Sequence, residues 1–177
     1  MFAPRVIGLV ALSAALVLAP CAAVRAEPSL EYPVKAAFLY KFGSYVDWPP
    51  SAFAGPREPV VVCVVGHDPF GVLLDRTVRN ETINDRPVVV RRMRIAAPGA
   101  PCHIAFLGGS REQPAEAAAA IFAGSPVLTV SDDAAGSVVR FRVVNNRVRF
   151  EIDQRAAEAD GMTISSKLLN LAVAVIR

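Results

Sequence analysis

The stretch that decides the fold is Val60-Val61-Val62-Cys63-Val64-Val65, an unbroken apolar run rich in β-branched side chains. A strand that is wetted on one face alternates apolar and polar residues, whereas an unbroken run is typical of a strand covered on both faces. His103–Leu107 and Val127–Ser131 have the same character. Together the three runs predict the centre of a mostly parallel sheet with helices on both faces.

Three further runs complete a predicted sheet of six strands. Val88–Arg92 is the least regular of them, whereas Val138–Val143 and Arg147–Ile152 alternate apolar and charged residues. Such alternation indicates strands that bury one face only. Between these two strands lies the pair Asn145-Asn146, and asparagine tolerates the left-handed backbone of a tight turn. The pattern therefore predicts an antiparallel hairpin.

Helices are predicted around these strands from apolar spacing and capping residues. The first is amphipathic, with Val34, Phe38, Phe42 and Tyr45 on one face. The predicted helices are Glu31–Val46, Pro69–Arg76, an alanine-rich stretch ending at Phe122, Gln154–Ala159 and Thr163–Ile176. The expected fold is a three-layer α/β domain with a mixed, mostly parallel six-stranded sheet, a C-terminal antiparallel hairpin and flanking helices.

The amino terminus predicts export. Met1–Arg5 is basic, Val6–Pro20 is apolar, and Val24-Arg25-Ala26 places small residues at the −3 and −1 positions of a cleavage site. This layout is that of a secretory signal peptide over residues 1–26, cleaved after Ala26, with a single domain over 27–177. The alternative is a lipidated Cys21, to which the preceding proline is poorly suited.

Charge and length exclude several classes of protein. Because Arg5 and Arg25 lie in the signal peptide, the mature chain has 17 basic and 16 acidic residues and is nearly neutral. Nucleic-acid binding needs a concentrated basic face, so no nucleic-acid partner is expected. Beyond the signal peptide, no apolar stretch is long enough for a membrane span.

Two cysteines remain in the mature chain, Cys63 and Cys102. In an oxidising compartment such a pair favours a disulfide. The alternative is two buried free thiols. Cys102-His103 is not expected to form a nucleophile and base pair, because neighbours in a strand point to opposite faces. No metal-ligand spacing repeats, so neither a metal nor a cofactor is expected.

The best candidate for a ligand crevice follows the first central strand. His67 and Asp68 come directly after that strand, and ligands of open α/β sheets bind beyond the carboxyl ends of strands. We expect Phe70, Gly108 and Ser131 to share this crevice. Asp68 is also fully explained as a helix cap. Without a catalytic set, no enzyme is predicted.

A second candidate surface consists of Phe42, Tyr45 and Trp48, where the first predicted helix ends. Core packing is one explanation of such an aromatic cluster. The other is a patch that binds a partner protein, since tryptophan and tyrosine are enriched at binding hot spots.

Several blocks resemble the YfiR-like family of periplasmic proteins, in order along the mature chain. The opening block is Glu31–Phe42 leading to Trp48-Pro49, and the next are Cys63–Gly66 with Asp68–Gly71, Cys102–Ile104 and Leu128–Asp132. The closing block is Phe150–Asp153 with Ala156-Ala157, Gly161-Met162, Ile164–Ser166, Leu168-Leu169 and Leu171-Ala172. By this resemblance Cys63 and Cys102 correspond to a structural disulfide of the family.

The resemblance implies a periplasmic regulator that forms dimers. The best-known member contacts the periplasmic part of an inner-membrane diguanylate cyclase and lowers cyclic di-GMP output and biofilm formation. Some members carry a second cysteine pair near the hairpin, which this chain lacks, so a redox switch of that kind is not expected. Two functions are therefore weighed: a non-enzymatic regulator of a membrane signalling protein, and a soluble periplasmic protein that binds a small ligand.

Overall fold

The computed structural model of the protein describes residues 30–177. The predicted signal peptide, its cleavage site after Ala26 and Cys21 lie outside the described residues.

A mixed sheet of eight strands forms the centre of the molecule, and a separate two-stranded sheet lies beside it. In chain order the strands are β1 Val46–Asp47, β2 Val60–Gly66, β3 Thr82–Ile83, β4 Arg86–Met93, β5 Ile104–Gly109, β6 Leu128–Ser131, β7 Val139–Val144, β8 Arg147–Asp153, β9 Thr163–Ile164 and β10 Ala174–Ile176. The spatial order of the main sheet is β10-β8-β7-β6-β5-β2-β4-β3, and β1 pairs with β9. The predicted fold class is confirmed, with short β3 and β10 added to the six expected strands.

Within residues 30–177, five α-helices accompany the strands, together with 3₁₀ turns at Phe42–Tyr45 and Pro50–Ala52. The helices are α1 Glu31–Lys41, α2 Val72–Val78, α3 Ala115–Phe122, α4 Gln154–Ala159 and α5 Ser166–Leu169. Asp153 caps α4 by accepting a 3.0 Å hydrogen bond from the backbone nitrogen of Ala156.

The core has two halves, one on each face of the main sheet. Val60, Val62 and Val64 pack into the half that includes α1 and α2. Val61 and Cys63 point the other way, into the half that includes α3. Burying an aliphatic side chain of this size stabilises the fold by about 1.5–3 kcal/mol, so both faces of β2 contribute. This is why the run from residue 60 to 65 contains no polar residue.

The strand order reverses between β2 and β5. After β2 the chain crosses to β4 on one side, and it then returns to place β5 on the other side, with both pairings parallel. The carboxyl ends of β2 and β5 therefore diverge into different loops, which is where open α/β sheets form a ligand crevice.

The predicted hairpin is present, with Phe141 on β7 opposite Phe150 on β8. Asn145 and Asn146 adopt φ values of 50° and 58°, as a tight turn between twisted strands requires. The apolar face of the hairpin packs on Phe42, whose ring centroid lies 5.0 Å from that of Phe150.

Three helix predictions were wrong in extent. The helix predicted over Pro69–Arg76 is α2, Val72–Val78, and its N-cap residue is Gly71 rather than Asp68. The first helix ends at Lys41 and continues as a 3₁₀ turn, and Val34 of its predicted buried face is 38% exposed. The predicted helix Thr163–Ile176 is mostly not a helix: it is β9, the single turn α5, and β10, which pairs in parallel with β8. The open edge of β8 gives the β-branched tail hydrogen-bonding partners, and tertiary pairing of this kind overrides helical spacing.

Candidate functional site

A crevice of about 190 Å³ lies at the point where the strand order reverses. His67 follows β2, and its backbone nitrogen donates a 2.8 Å hydrogen bond to the carbonyl oxygen of Gly109 on β5. A Cβ atom on Gly108 would overlap the carbonyl oxygen of His67, so only glycine allows this close approach. Both His67 and Gly108 line the crevice.

The opposite wall of the crevice is acidic. It includes Glu116, Asp132 and Asp133, and Tyr32 adds an aromatic side chain. Asp133 is paired with Arg142 at 2.7 Å, and its side chain remains largely exposed. This composition suits a small cationic or polar group better than an anion.

Lys35 sets the position of one of these carboxylates from beneath. Its side chain is 4% exposed, and its ammonium group lies 2.7 Å from Asp132 and 2.5 Å from Glu31. Burial by itself lowers the pKa of Lys35, but the hydrogen bonds from its ammonium group to the two carboxylates raise it above the ordinary value. Lys35 is therefore charged, and its ion pairs join α1 to the loop after β6. A protonated amine is not a nucleophile.

Asp68 faces away from the crevice. Its carboxylate accepts hydrogen bonds from the backbone nitrogens of Phe70, at 2.8 Å, and Gly71, at 3.0 Å, and from Arg92 at 2.7 Å. Burial alone would raise the pKa of Asp68, but these bonds hold it below its usual value. Asp68 is thus an ionised group that closes the loop after β2, and its oxygens are already occupied.

Phe70 and Ser131 shape the crevice from behind. Phe70 is 4% exposed and packs edge-on against Phe106, with ring centroids 4.8 Å apart. Ser131 is 1% exposed, and its hydroxyl accepts a 2.9 Å hydrogen bond from the backbone nitrogen of Ala134. Neither side chain lines the open space, so the two support the walls.

A cleft of about 460 Å³ lies around Trp48. We call it the Trp48 cleft; its apolar lining comprises Val46, Trp48, Pro49, Pro50, Phe53, Pro56, Val60 and Ile83. Asp47, Asn84 and Arg86 supply polar groups. Sequence analysis pointed to Trp48 but missed Phe53, Asn84 and Arg86, because they lie in separate segments that only the folded chain brings together.

The aromatic residues Phe42, Tyr45 and Trp48 do not share one surface. Phe42 is 1% exposed and belongs to the core beneath the hairpin. Tyr45 lines a different hollow, beside Tyr40. Of the three, only Trp48 lines the large cleft.

Cys63 and Cys102 form a disulfide, with their Cα atoms 5.7 Å apart. It joins the middle of β2 to the segment that leads into β5, within the core half that includes α3. Both sulfur atoms are bonded, so neither cysteine is a free nucleophile. Within residues 30–177, no three histidine, cysteine or acidic side chains are grouped so that they could hold a metal ion.

A protein-family model described as YfiR/HmsC-like matches residues 32–173, well over half of the chain. The chain belongs to the YfiR/HmsC-like family. Among curated proteins, no match to the chain is found. The matched range runs from α1 to the segment before β10, and it contains both clefts and the disulfide.

YfiR/HmsC-like proteins are periplasmic and act in regulation rather than catalysis. Membership of this family implies an interaction with a protein partner. No helix in the described part of the chain has the length and apolar character needed to cross a membrane.

Four exposed apolar side chains, which were not predicted from the sequence, lie at the end of β7 and before β10. Val143 and Val144 end β7, and Leu171 and Val173 precede β10; their exposed fractions are 52%, 46%, 60% and 52%. The backbone nitrogen of Val173 donates to the carbonyl oxygen of Phe150, which places this segment beside β8.

Proposed function

We propose that this YfiR/HmsC-like protein is exported and binds the periplasmic part of an inner-membrane signalling protein. The partner is a diguanylate cyclase, which the protein represses, so that cyclic di-GMP output falls. The observation that carries this proposal is the family match over residues 32–173.

The mechanism is a shift between two conformations of the partner. A bound protein changes such an equilibrium only by the difference in its affinity for the two states. The repressor must therefore bind the inactive form of the cyclase more tightly than the active form. A tenfold reduction in the active population corresponds to about 1.4 kcal/mol of differential binding free energy.

The Trp48 cleft is the surface best suited to this contact. Tryptophan and arginine are enriched among residues that dominate binding energy, and both Trp48 and Arg86 line this cleft. The proline side chains beside them are rigid, so that little conformational entropy is lost when a partner covers them.

The first test is to crosslink the mature protein in its native envelope and identify the membrane protein that it holds. We expect a diguanylate cyclase with the wild-type protein, and raised cyclic di-GMP in a deletion strain. Trp48→Ala should lose the crosslink. Val89→Ala is the matched control, because Val89 is 41% exposed on β4 and does not line the cleft. Capture of no inner-membrane signalling protein would contradict the proposal.

A homodimer is part of the same proposal, supported by family membership. Sedimentation over a range of protein concentrations should show a dimer. A monomer at every concentration would remove dimerisation from the proposed mechanism, and repression by single subunits would then have to be tested.

The crevice at His67 favours a second candidate function, the binding of a small ligand. Its position at the reversal of strand order and the carboxylate of Glu116 favour a cationic ligand, whereas Asp132 and Asp133 already have Lys35 and Arg142 as ion-pair partners. Calorimetry with a library of small amines should show saturable binding that Glu116→Gln weakens. If no compound binds, this candidate is abandoned.

A further inference from the structure

His103 is buried and uses both of its ring nitrogens. It is 3% exposed; its Nδ1 accepts a 3.0 Å hydrogen bond from the backbone nitrogen of Val61, and its Nε2 lies 3.0 Å from the carbonyl oxygen of Ala52. A ring nitrogen that accepts a hydrogen bond carries no proton, so the proton is on Nε2 and the ring is neutral. His103 thereby ties the start of β2 to the turn that ends at Ala52.

A ring stack extends this link to the following segment. Phe53 lies parallel to His103, with centroids 4.3 Å apart, and the guanidinium of Arg86 lies 3.9 Å from the centre of the Phe53 ring. Arg86 also donates hydrogen bonds to the carbonyl oxygens of Gly55, at 2.8 Å, and Glu58, at 2.9 Å. The segment from residue 52 to 58 is therefore held by His103 at one end and by Arg86 at the other.

This segment separates two hollows in the surface. Phe53, Gly55 and Pro56 line the Trp48 cleft. Ala54 and Glu58 line a second hollow of about 380 Å³, which also reaches His103. Any movement of the segment therefore changes the shape of the Trp48 cleft.

We propose that His103 is an acid-sensitive latch: protonation at Nδ1 breaks the hydrogen bond from Val61 and drives the charged ring out of the interior, so that segment 52–58, which lines the Trp48 cleft, loses its bond from Nε2 to Ala52 and its stack on Phe53. A protonated Nδ1 is a donor, and it would face the backbone N–H of Val61, which is also a donor. Burying a charged ring is costly even though Nε2 keeps its hydrogen bond to Ala52, and this cost favours movement of the ring out of the interior. The proton comes from solvent, and no other reactant is needed.

Burial of the ring sets the direction of the effect. It is the largest influence on the pKa of His103 and lowers it; the hydrogen bond to Ala52 and the negative charge of Glu58 raise it, and the positive charge of Arg86 lowers it. The folded protein thus has a lower His103 pKa than the unfolded chain, whose value is about 6.5. As pH falls below about 6.5 the unfolded state binds the proton first, so the stability that neutral His103 confers declines with falling pH.

Trp48 is the only tryptophan of the protein, so its fluorescence reports on the Trp48 cleft without an added label. The centroid of a Trp48 ring lies 6.3 Å from that of His103. We expect the emission of Trp48 to change reversibly between about pH 7.5 and pH 4.5, with a midpoint below about 6.5 and with native far-ultraviolet circular dichroism. Hydrogen exchange, measured by mass spectrometry, should increase in the peptide 50–59 and not in β5.

Three variants test whether protonation of His103 causes the change in Trp48 emission. His103→Gln keeps an acceptor and a donor but does not titrate, so the transition should disappear. His67→Gln is the matched control, since His67 is the only other histidine, and the transition should remain. Glu58→Gln removes a negative charge that favours protonation, so the midpoint should move to lower pH.

An unchanged transition in His103→Gln would overturn the latch. If that variant does not fold, nitrogen NMR of the wild-type imidazole decides: protonation of His103 must coincide with the exchange of peptide 50–59. An imidazole that stays neutral throughout, or one that titrates while the peptide stays protected, would overturn it equally. The measurement needs only the isolated protein, so failure of the latch is distinguishable from failure to find a membrane partner.

Discussion

Removing the disulfide should strongly destabilise this protein. The perturbation is the double variant Cys63→Ala and Cys102→Ala, which deletes the bond without leaving a polar group in the core. Both cysteines are buried, with exposed fractions of 0% and 6%. Their removal therefore acts through chain entropy and through a small loss of packing.

The magnitude follows from the length of the closed loop. The two cysteines are separated by 39 positions. On the chain-entropy model a loop of roughly 40 residues stabilises the folded state by roughly 4 kcal/mol. For a domain of about 150 residues, each kcal/mol lowers the melting temperature by about 2–4 °C, so a loss of roughly 8–16 °C is expected.

Urea unfolding of the oxidised wild type, the reduced wild type and the double variant measures this loss. The reduced protein and the double variant should unfold at a similar, lower urea concentration. Reductant should have no effect on the double variant, which is the control for side effects of the reagent. A difference in the free energy of unfolding below about 1 kcal/mol would refute the assignment of this stabilisation to loop closure.

Three other predictions follow from individual contacts. Gly108→Ala should lower the free energy of unfolding by about 3 kcal/mol, because the new Cβ overlaps the carbonyl oxygen of His67, whereas Gly55→Ala, which has open space, should change it by less than about 1 kcal/mol in the same urea titration. Asn146→Val should cost about 1–2 kcal/mol, since its φ of 58° is unfavourable for a β-branched residue, and Asn146→Gly should cost nothing; equal urea midpoints for the two variants would contradict this. Arg92→Met should raise the pKa of Asp75, because the hydrogen bond from Arg92 is the largest cause of its depression, and should raise that of Asp68 as well. Both folded pKa values lie below the unfolded ones, so the stability that Arg92 confers is present above about pH 4 and lost below it, and carbon NMR titrations that show unchanged pKa values would count against the pairing.

Much of the fold could be predicted from local patterns. The apolar run at Val60–Gly66 reflects burial on both faces of β2, and the alternation in β7 and β8 reflects burial on one face. Asn145 and Asn146 take the left-handed conformations that their side chains tolerate. These features depend on a few neighbouring residues, so the sequence carries them directly.

The carboxyl-terminal segment shows where local patterns fail. Leu168 and Val175 have helical spacing, yet Leu168 lies in α5 and Val175 lies in the strand beside β8. The choice depends on the unpaired hydrogen-bonding groups at the edge of β8, which lie more than twenty positions earlier along the chain. The residues of the carboxyl-terminal segment alone therefore do not indicate that the edge of β8 is available for pairing.

The candidate sites, like the fold, could be predicted only in part from the sequence. The sequence by itself predicted that His67 and Gly108 lie near one crevice, because the carboxyl ends of neighbouring parallel strands are close together in any sheet of this kind. It also determined the family, since the motif blocks keep their order over residues 32–173.

Only the tertiary structure decided which aromatic side chains remain accessible. Phe42 and Trp48 lie six positions apart, yet Phe42 is in the core and Trp48 lines the Trp48 cleft. The contact of His103 with Ala52, and that of Arg86 with Phe53, join segments that are distant in the chain. The reason is physical: burial and ring stacking depend on which parts of the chain come into contact after folding. Short-range sequence patterns do not specify these long-range contacts.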